Sequence, residues 1–247
     1  MAQRTQRRRA KAPETEQLEH RYLLAGNVLV AVIGGELDIT GDSASNGVLI
    51  AAESGHQFTM RGFTNNGPTT INGKPFVDVD GVKGDVKVAL GGGDDILSVL
   101  GTARALALPK GLRVSLGSGN ELVALTNVTV KGNLEIRSGS DGDGSANGRD
   151  TVALQDVDVG GDARLQTGAG KDSVTIADSG FGGKLEVGLG AGDDSLSIAN
   201  SEVLGDFEVD GGDGFDAFSD ESNTFAGKIE VKDVESMSRA AARPALR

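Results

Sequence analysis

The chain has 247 residues, of which 38 are glycine, while cysteine and tryptophan are absent and aromatic residues make up 4%. The lack of cysteine excludes disulfide bonds, thiolate chemistry and cysteine-ligated zinc. Glycine at this level without a strict triplet excludes collagen, and the scarcity of aromatic residues argues against a compact core of large rings. The composition suits a fold made of many short strands and turns.

The charge of the chain, formally −12, is unevenly distributed. Residues 1–21 hold six basic and three acidic residues, and residues 236–247 hold three arginines and no acid. The remaining body, 22–235, has 15 basic and 33 acidic residues, a net charge of −18. A body this acidic repels phosphate backbones, so we expect no nucleic-acid partner. We expect a basic, flexible leader or targeting segment over residues 1–26 and a basic tail over 236–247.

An acidic residue recurs along the body of the chain, and its last three intervals are each 22 residues. Two earlier intervals are longer because of short insertions near residues 103–109 and 139–146. The recurring acidic positions are Asp95, Glu121, Asp150, Asp172, Asp194 and Asp216. A fixed period of this length is typical of solenoid repeats.

Apolar residues alternate on both sides of each acidic position. In one unit, Leu185 and Val187 precede the acidic turn, Leu196 and Ile198 follow it, and Val203 supplies a third apolar point. Period-two alternation indicates strands rather than helices. The pattern predicts an all-β, single-domain parallel β-helix over residues 27–235, with about 22 residues and three short strands per coil. We expect a right-handed winding and eight complete coils between residues 35 and 226.

The outward positions supply an independent test of this register. At the position between the first two apolar residues, the charge alternates from coil to coil before ending in two glutamates. The residues are Arg113, Glu135, Arg164, Glu186, Glu208 and Glu230. Stacked opposite charges attract and like charges repel, so the last step should be the weakest. Signs also alternate two residues earlier, at Asp162, Lys184, Asp206 and Lys228.

The acidic turn allows several interpretations, as in "GLGAGDDSLSIAN" at residues 188–200. A dinucleotide loop requires G-x-G-x-x-G at the start of a helix, whereas a strand follows here. Two interpretations stay open. The aspartates bind a cation, or they accept hydrogen bonds from the backbone of their own turn, as turn aspartates commonly do.

One resemblance concerns this turn. "GGDGFDAF" at residues 211–218 resembles the hemolysin-type (RTX) calcium repeat G-G-x-G-x-D-x-U, and "LGAGDDSL", "TGAGKDSV" and "LGGGDDIL" are similar to it without its first glycine. The resemblance implies calcium held between stacked turns by aspartates and carbonyl groups. This chain departs from the family because each coil offers only one such turn, and Lys171 and Glu121 favour the hydrogen-bonding alternative locally. The metal ligands expected on this basis are Asp95, Asp150, Asp172, Asp194 and Asp216.

A second resemblance lies in the leader. "LEHRYLL" at residues 18–24 resembles the LEPR-XLL motif of planctomycete repeat proteins, with His20 in place of the motif's proline. The resemblance implies export or a surface location, without an activity. No apolar run in the chain approaches the roughly 18 residues of a membrane span.

The sequence favours a non-catalytic, secreted or cell-surface protein with a structural or adhesive role, and calcium is its expected cofactor if the acidic turns bind a cation. Its expected partners are protein or polysaccharide surfaces of the cell envelope or the extracellular space. His20 and His56 are the only histidines, and both are expected at the surface. The alternative is a polysaccharide-active lyase or hydrolase, which rests on analogy with other β-helices. The oligomeric state stays open.

Overall fold

The computed structural model describes residues 26–52, 57–64, 67–139 and 148–240. In these ranges the chain is all-β without a helix, and it forms about seven stacked turns of about 22 residues. This architecture is a β-solenoid, which confirms the predicted fold class. The described residues accordingly contain no helix that is long and apolar enough to cross a membrane.

The strands fall into three groups along the chain. The first group is β1 (Asn27–Ile33), β2 (Glu36–Thr40), β3 (Gly47–Ala51), β4 (Phe58–Gly62), β5 (Thr70–Ile71) and β6 (Phe76–Val79). The second is β7 (Val86–Gly92), β8 (Ile96–Leu100), β9 (Leu106–Leu108), β10 (Leu112–Ser118), β11 (Leu122–Val130), β12 (Leu134–Arg137) and β13 (Thr151–Val159). The third is β14 (Ala163–Ala169), β15 (Ser173–Ala177), β16 (Gly180–Phe181), β17 (Leu185–Ala191), β18 (Ser195–Ala199), β19 (Glu202–Val203), β20 (Phe207–Asp213), β21 (Ala217–Glu221), β22 (Thr224–Phe225), β23 (Ile229–Lys232) and β24 (Ser236–Ala240).

Two long sheets and a narrow third face enclose the core. The ten-stranded sheet has the order β23-β20-β17-β14-β12-β10-β7-β2-β1-β5. The other sheet has the order β24-β21-β18-β15-β13-β11-β8-β3-β4-β6 on its main path. The third face is built from β9, β16, β19 and β22 together with the ends of β11 and β13. Strands from successive coils pair in parallel from β2 and β3 onward.

The N-terminal region does not form a coil where the sequence predicts one. Leu37 of β2 pairs directly with Val86 of β7, so the second coil begins 49 residues after the first. The intervening β4 and β6 pair antiparallel, with β3 and with each other. The prediction of eight complete coils is therefore wrong, because this segment folds as antiparallel strands at the N-terminal end. At the other end, β24 pairs in parallel with β21, so coil pairing continues to Ala240, past the boundary predicted at residue 235.

The predicted inward residues stack in register and form one core. Leu196 pairs with Val174 in the preceding coil and with Phe218 in the next, and all three are buried. Near the C-terminal end larger rings fill the same space, where Phe207 and Phe225 stack with their centroids 4.6 Å apart. Ile229 follows the same inward pattern but is 42% exposed, because it lies in the last, incomplete coil.

The outer charge ladder confirms the predicted register. Arg113 Nε lies 2.6 Å from Glu135 Oε2, and Arg164 Nη2 lies 3.2 Å from Glu186 Oε1. These partly exposed pairs contribute little individually, on the order of 0–1 kcal/mol each. Their value here is positional, since opposite charges meet only in the register that the structure shows.

The three stacked glutamates at the C-terminal end, Glu186, Glu208 and Glu230, each contact at least one lysine from another position. Lys184 Nζ lies 3.2 Å from Glu186 and 2.6 Å from Glu208, so one ammonium group bridges two coils. Lys228 and Lys232 both contact Glu230. The expected pairing of Lys184 with an aspartate one coil earlier takes another form, since that side chain, Asp162, accepts the backbone N–H of Lys184 at 2.9 Å.

Glycine is required where the coils approach most closely. Gly190 has a φ of 106°, and a Cβ at this position would overlap the carbonyl oxygen of Gly168 in the preceding coil. Gly188 lies two residues earlier on the same strand, and a Cβ there would meet no atom within 4 Å. The φ of Gly188 is also not positive. A methyl group would therefore clash with the neighbouring coil at Gly190 and be accommodated at Gly188.

We predict that Gly190→Ala destabilises the protein by at least about 2 kcal/mol, because it combines a left-handed backbone with a clash against main-chain atoms. Gly188→Ala is the matched control and should change the free energy of unfolding by less than about 1 kcal/mol. Urea unfolding followed by far-UV circular dichroism measures both. Equal effects of the two variants would contradict the proposed close approach.

Candidate functional site

The recurring acidic residues form a single column at one corner of the solenoid. Each lies between a strand of the ten-stranded sheet and the strand of the other sheet that follows it. All are buried, with exposed fractions of 0–3%. The five predicted ligands in this column are Asp95, Asp150, Asp172, Asp194 and Asp216, and Asn46 and Glu121 occupy the same position in other coils.

Hydrogen bonds connect the column from coil to coil. Asp194 Oδ1 accepts the backbone N–H of Asp172 at 2.7 Å, and Asp216 Oδ1 accepts the backbone N–H of Asp194 at 2.8 Å. The aspartates thus bond to the preceding coil, and the expectation that they bond to their own turn is wrong in its choice of partner. Each bond satisfies a backbone N–H that the corner would otherwise leave buried without an acceptor.

The two ends of the column use the same kind of hydrogen bond, from a backbone N–H to a carboxyl oxygen. At the first coil, Asp95 Oδ1 accepts the backbone N–H of Asn46 at 2.7 Å. At the last, Glu235 Oε2 accepts the backbone N–H of Asp216 at 2.7 Å. Sequence reasoning missed Glu235, because it follows Asp216 by 19 residues rather than 22. Its longer side chain reaches the same kind of donor from a shorter final coil.

The second carboxyl oxygen is the unusual feature of this site. Oδ2 of Asp95, Asp172, Asp194 and Asp216 is buried and has no hydrogen-bond partner among the described residues. A Cβ at Gly211 would lie 2.8 Å from Oδ2 of Asp216, and in register Leu189 occupies the position of Gly211 one coil earlier. The second oxygen of Asp216 therefore lies close to the backbone of Gly211.

Burial of these carboxyl groups raises their pKa values. It raises the pKa of Asp95 to about 7 and that of Asp194 to about 6, against the hydrogen bond from the preceding coil, which lowers both. The neighbouring carboxylates of Asp172 and Asp216 raise the pKa of Asp194 further. Burial likewise raises the pKa of Asp150 to about 6. The raised pKa values place the proton loss of Asp95, Asp150 and Asp194 between about pH 6 and about pH 7.

The column has the donor type that calcium prefers but not a complete set of ligands. Calcium takes about six to eight oxygen ligands. Within the described ranges, no three His, Asp or Glu side chains come together in a way that could hold a metal ion. Successive aspartates are separated by one coil spacing, about 4.8 Å, so most ligands would have to be carbonyl groups and water. Calcium binding by the five aspartates stays a prediction.

A second polar column, missed in the sequence, lies at another corner. Ser179 Oγ accepts the backbone N–H of Val157 at 3.1 Å, and Ser201 Oγ accepts that of Ser179 at 3.1 Å. Asn223 Oδ1 continues the series by accepting the backbone N–H of Ser201. The residue before each has a positive φ. The signal was the 22-residue spacing of the pairs Asp-Ser, Asn-Ser and Ser-Asn.

Neither histidine lies in the part of the chain that the structure describes. His20 and His56 lie outside the described residues, as does the LEPR-XLL-like stretch. No family model, curated protein or solved structure matches the chain.

We predict that the protein becomes more stable as the pH falls from about 8 to about 5. A carboxyl group with a raised pKa in the folded state contributes stability that is present below the unfolded pKa, 3.8 for Asp, and lost as the pH rises through the folded pKa. Groups with lowered pKa values, such as Glu230, act in the opposite direction only at lower pH. Thermal unfolding at a series of pH values measures the trend.

Asp194→Asn tests the assignment to the column. Asparagine keeps a side-chain oxygen as the acceptor and carries no charge, so the variant should melt at least about 3 °C higher at pH 8 and weaken the pH dependence. Asp193→Asn removes the same charge at an exposed neighbour and is the control. If both variants respond alike, the buried column is not the source of the effect.

Proposed function

We propose that this protein is a non-catalytic, exported β-solenoid with a structural or adhesive role at the cell surface or in the extracellular space. The observation that carries the proposal is the use of the acidic residues. The most regular acids of the chain are buried and connect coil to coil through backbone N–H groups, as Asp172 and Asp194 do. Such residues stabilise a rod and are removed from contact with a substrate.

The polysaccharide-active alternative needs different carboxyl groups. Glycoside hydrolysis uses two carboxyl groups that reach the scissile bond from either side. The column aspartates are at most 3% exposed. Where a hydrogen bond joins two coils, one carboxyl oxygen of the aspartate already accepts a backbone N–H, as in Asp216. This geometry supports a structural role for the column, and enzymatic activity would have to come from other residues.

An adhesive role is supported by the outer surface of β15 and β18. Ser173 stacks on Ser195 and Thr175 on Ser197, so small polar side chains repeat at the coil spacing. A flat strip of this kind has no bulky side chain to prevent close contact with a regular surface. We infer that it contributes to contact with a repetitive cell-envelope surface.

The expected result for the full-length protein is retention on cell-envelope material without cleavage of polysaccharide. Binding is measured by co-sedimentation with the insoluble envelope fraction, and cleavage by reducing ends and unsaturated products across a panel of polysaccharides. New chain ends would support the lyase or hydrolase alternative. Absence of both retention and cleavage would contradict the surface role.

We further propose calcium as the cation of the aspartate column. The proposal is supported by the buried carboxyl oxygens that lack a hydrogen-bond partner among the described residues, Oδ2 of Asp172, Asp194 and Asp216 among them. A bound cation would lower the repulsion between stacked carboxylates, and a ligand that binds only the folded state stabilises it. Because protons compete for the same oxygens, the effect of calcium should be larger at pH 8 than at pH 5.

Millimolar calcium should therefore raise the melting temperature by at least about 3 °C at pH 8, and a chelator should reverse the change. Terbium luminescence provides a direct binding signal. Asp194→Asn should reduce both responses, whereas Asp193→Asn should leave them unchanged. An unchanged melting curve together with no terbium signal would remove calcium from the proposal and leave protons as the neutralising species.

A further inference from the structure

A groove of about 570 Å³ lies on the outer face of the ten-stranded sheet, over β7, β10, β12 and β14. Its floor is formed by the outward side chains of these strands, and its edge by the corners that precede them. Three strand-to-strand steps of about 4.8 Å give it a length of about 14 Å along the solenoid axis. The volume lies in the range of ligand-binding clefts, about 300–1,000 Å³.

The groove concentrates positive charge on an acidic molecule. The body of the chain, residues 22–235, has only 15 basic residues and a net charge of −18. Six of those 15 basic residues line the groove, together with only three acids. The basic residues are Lys87, Lys110, Arg113, Lys131, Arg137 and Arg164.

The acid at the centre of the groove shows how its arginines hold an anion. Glu135 accepts contacts from both Arg113 and Arg137, one guanidinium group on each carboxyl oxygen. Guanidinium groups match planar carboxylate and sulfate groups and are well suited to binding them. Two arginines share this single carboxylate, so one positive charge is left over.

The lysines at the edge of the groove add further uncompensated charge. Lys110 and Lys131 lie at the corners before β10 and β12, and both are exposed. Within the described part of the chain neither forms an ion pair or a side-chain hydrogen bond. Lys87, by contrast, lies 2.6 Å from Glu36. The edge of the groove therefore presents two free ammonium groups beside the arginine floor.

The excess of positive charge does not continue along the axis. The next groove on the same face, of about 310 Å³, is lined by four acids, Glu186, Glu208, Asp210 and Glu230, and by two bases, Arg164 and Lys232. A long polyanion that continued along the sheet would find no excess of positive charge there. The geometry thus favours a short anionic segment, or the end of a chain, over a polymer that follows the whole rod.

We propose that this groove binds an anionic saccharide segment of a few sugar units that carries carboxylate or sulfate groups. The choice of a saccharide rests on the proposed surface role, whereas the choice of an anionic ligand rests on the charge of the groove. Arg113 and Arg137, which carry one charge in excess of Glu135, attract the acidic groups together with Lys110 and Lys131. The polar side chains of Asn133 and Asp162 line the edge where sugar hydroxyl groups would lie.

A nucleic acid fits the groove less well. Single-stranded nucleic acids bind through aromatic side chains on which bases stack, and the residues that line the groove include none. Duplex DNA carries one negative charge per about 1.7 Å and would extend beyond the groove over the acidic part of the face. A saccharide with one anionic group per ring has a charge density closer to that of the groove.

The test uses the full-length protein and three defined trisaccharides: a uronic-acid trimer, a sulfated trimer, and the uronic-acid trimer with its carboxyl groups methyl-esterified. Isothermal titration calorimetry should show binding of at least one acidic trimer, weakening as salt is added, and none of the esterified trimer. The first two probes distinguish carboxylate from sulfate recognition. Equal binding of the acidic and esterified trimers, or binding of none of the three, would overturn the proposal.

Two variants locate the site. Lys110→Gln with Lys131→Gln removes the unpaired charges and should weaken binding about tenfold, with an unchanged melting temperature. Arg104→Gln with Lys171→Gln removes two exposed charges outside the groove and should leave the affinity unchanged. Equal weakening by both pairs would show only a general charge effect and contradict the site. Tighter binding of a short single-stranded DNA than of the acidic trimers would assign the groove to nucleic acid instead.

The same lysine variant separates this proposal from the surface role. If it loses the acidic trimer and also its retention on envelope material, the groove is the adhesive site. If the unmodified protein is retained on the envelope but binds no trimer, the surface role stands and the groove proposal fails. If the unmodified protein binds a trimer but is not retained, the groove proposal stands and the surface role fails.

Discussion

The in-register stacking of the coils constrains every other feature of this protein. Parallel strands about 4.8 Å apart place each side chain beside the residue at the same position in the next coil. An apolar residue then stacks on another apolar residue, as Leu196 does on Val174. A glycine allows two corners to approach, as Gly190 does over Gly168. A charged residue, however, stacks on a residue of like charge unless the sign alternates from coil to coil or another group lies between them.

The aspartate column follows from this constraint. The corner between the two sheets turns backbone N–H groups away from the strand ladders, and a short side-chain acceptor from the next coil satisfies them, as Asp194 does for Asp172. An amide can take part in the same corner, since Asn46 begins the column. A carboxyl group adds a buried charge whose energy depends on its protonation. The repeated choice of acid therefore couples the stability of the rod to pH.

The sequence predicted what depends on the repeat and failed where the repeat is interrupted. Alternation and the 22-residue period were enough to assign the inward residues and the pairing of Arg113 with Glu135. The strands β4 and β6 carry no repeat signal, so their antiparallel pairing could not be predicted from the period. The hydrogen-bond partner of Asp194 was also missed, because a local turn and a neighbouring coil both offer a backbone N–H as the donor. The groove depends on contacts across four coils, which no single unit encodes.

The outer face of the ten-stranded sheet shows how similar side chains take different roles along one rod. Lys184 lies between Glu186 and Glu208, and its charge is used to separate stacked carboxylates. Lys110 and Lys131 form no ion pair with the described residues, so their charge stays available to a ligand. The difference arises from the outward ladder, which contains arginines at its N-terminal half and only glutamates after Arg164. In-register stacking, which brings like charges together in one part of the rod, thus also leaves another part with uncompensated positive charge.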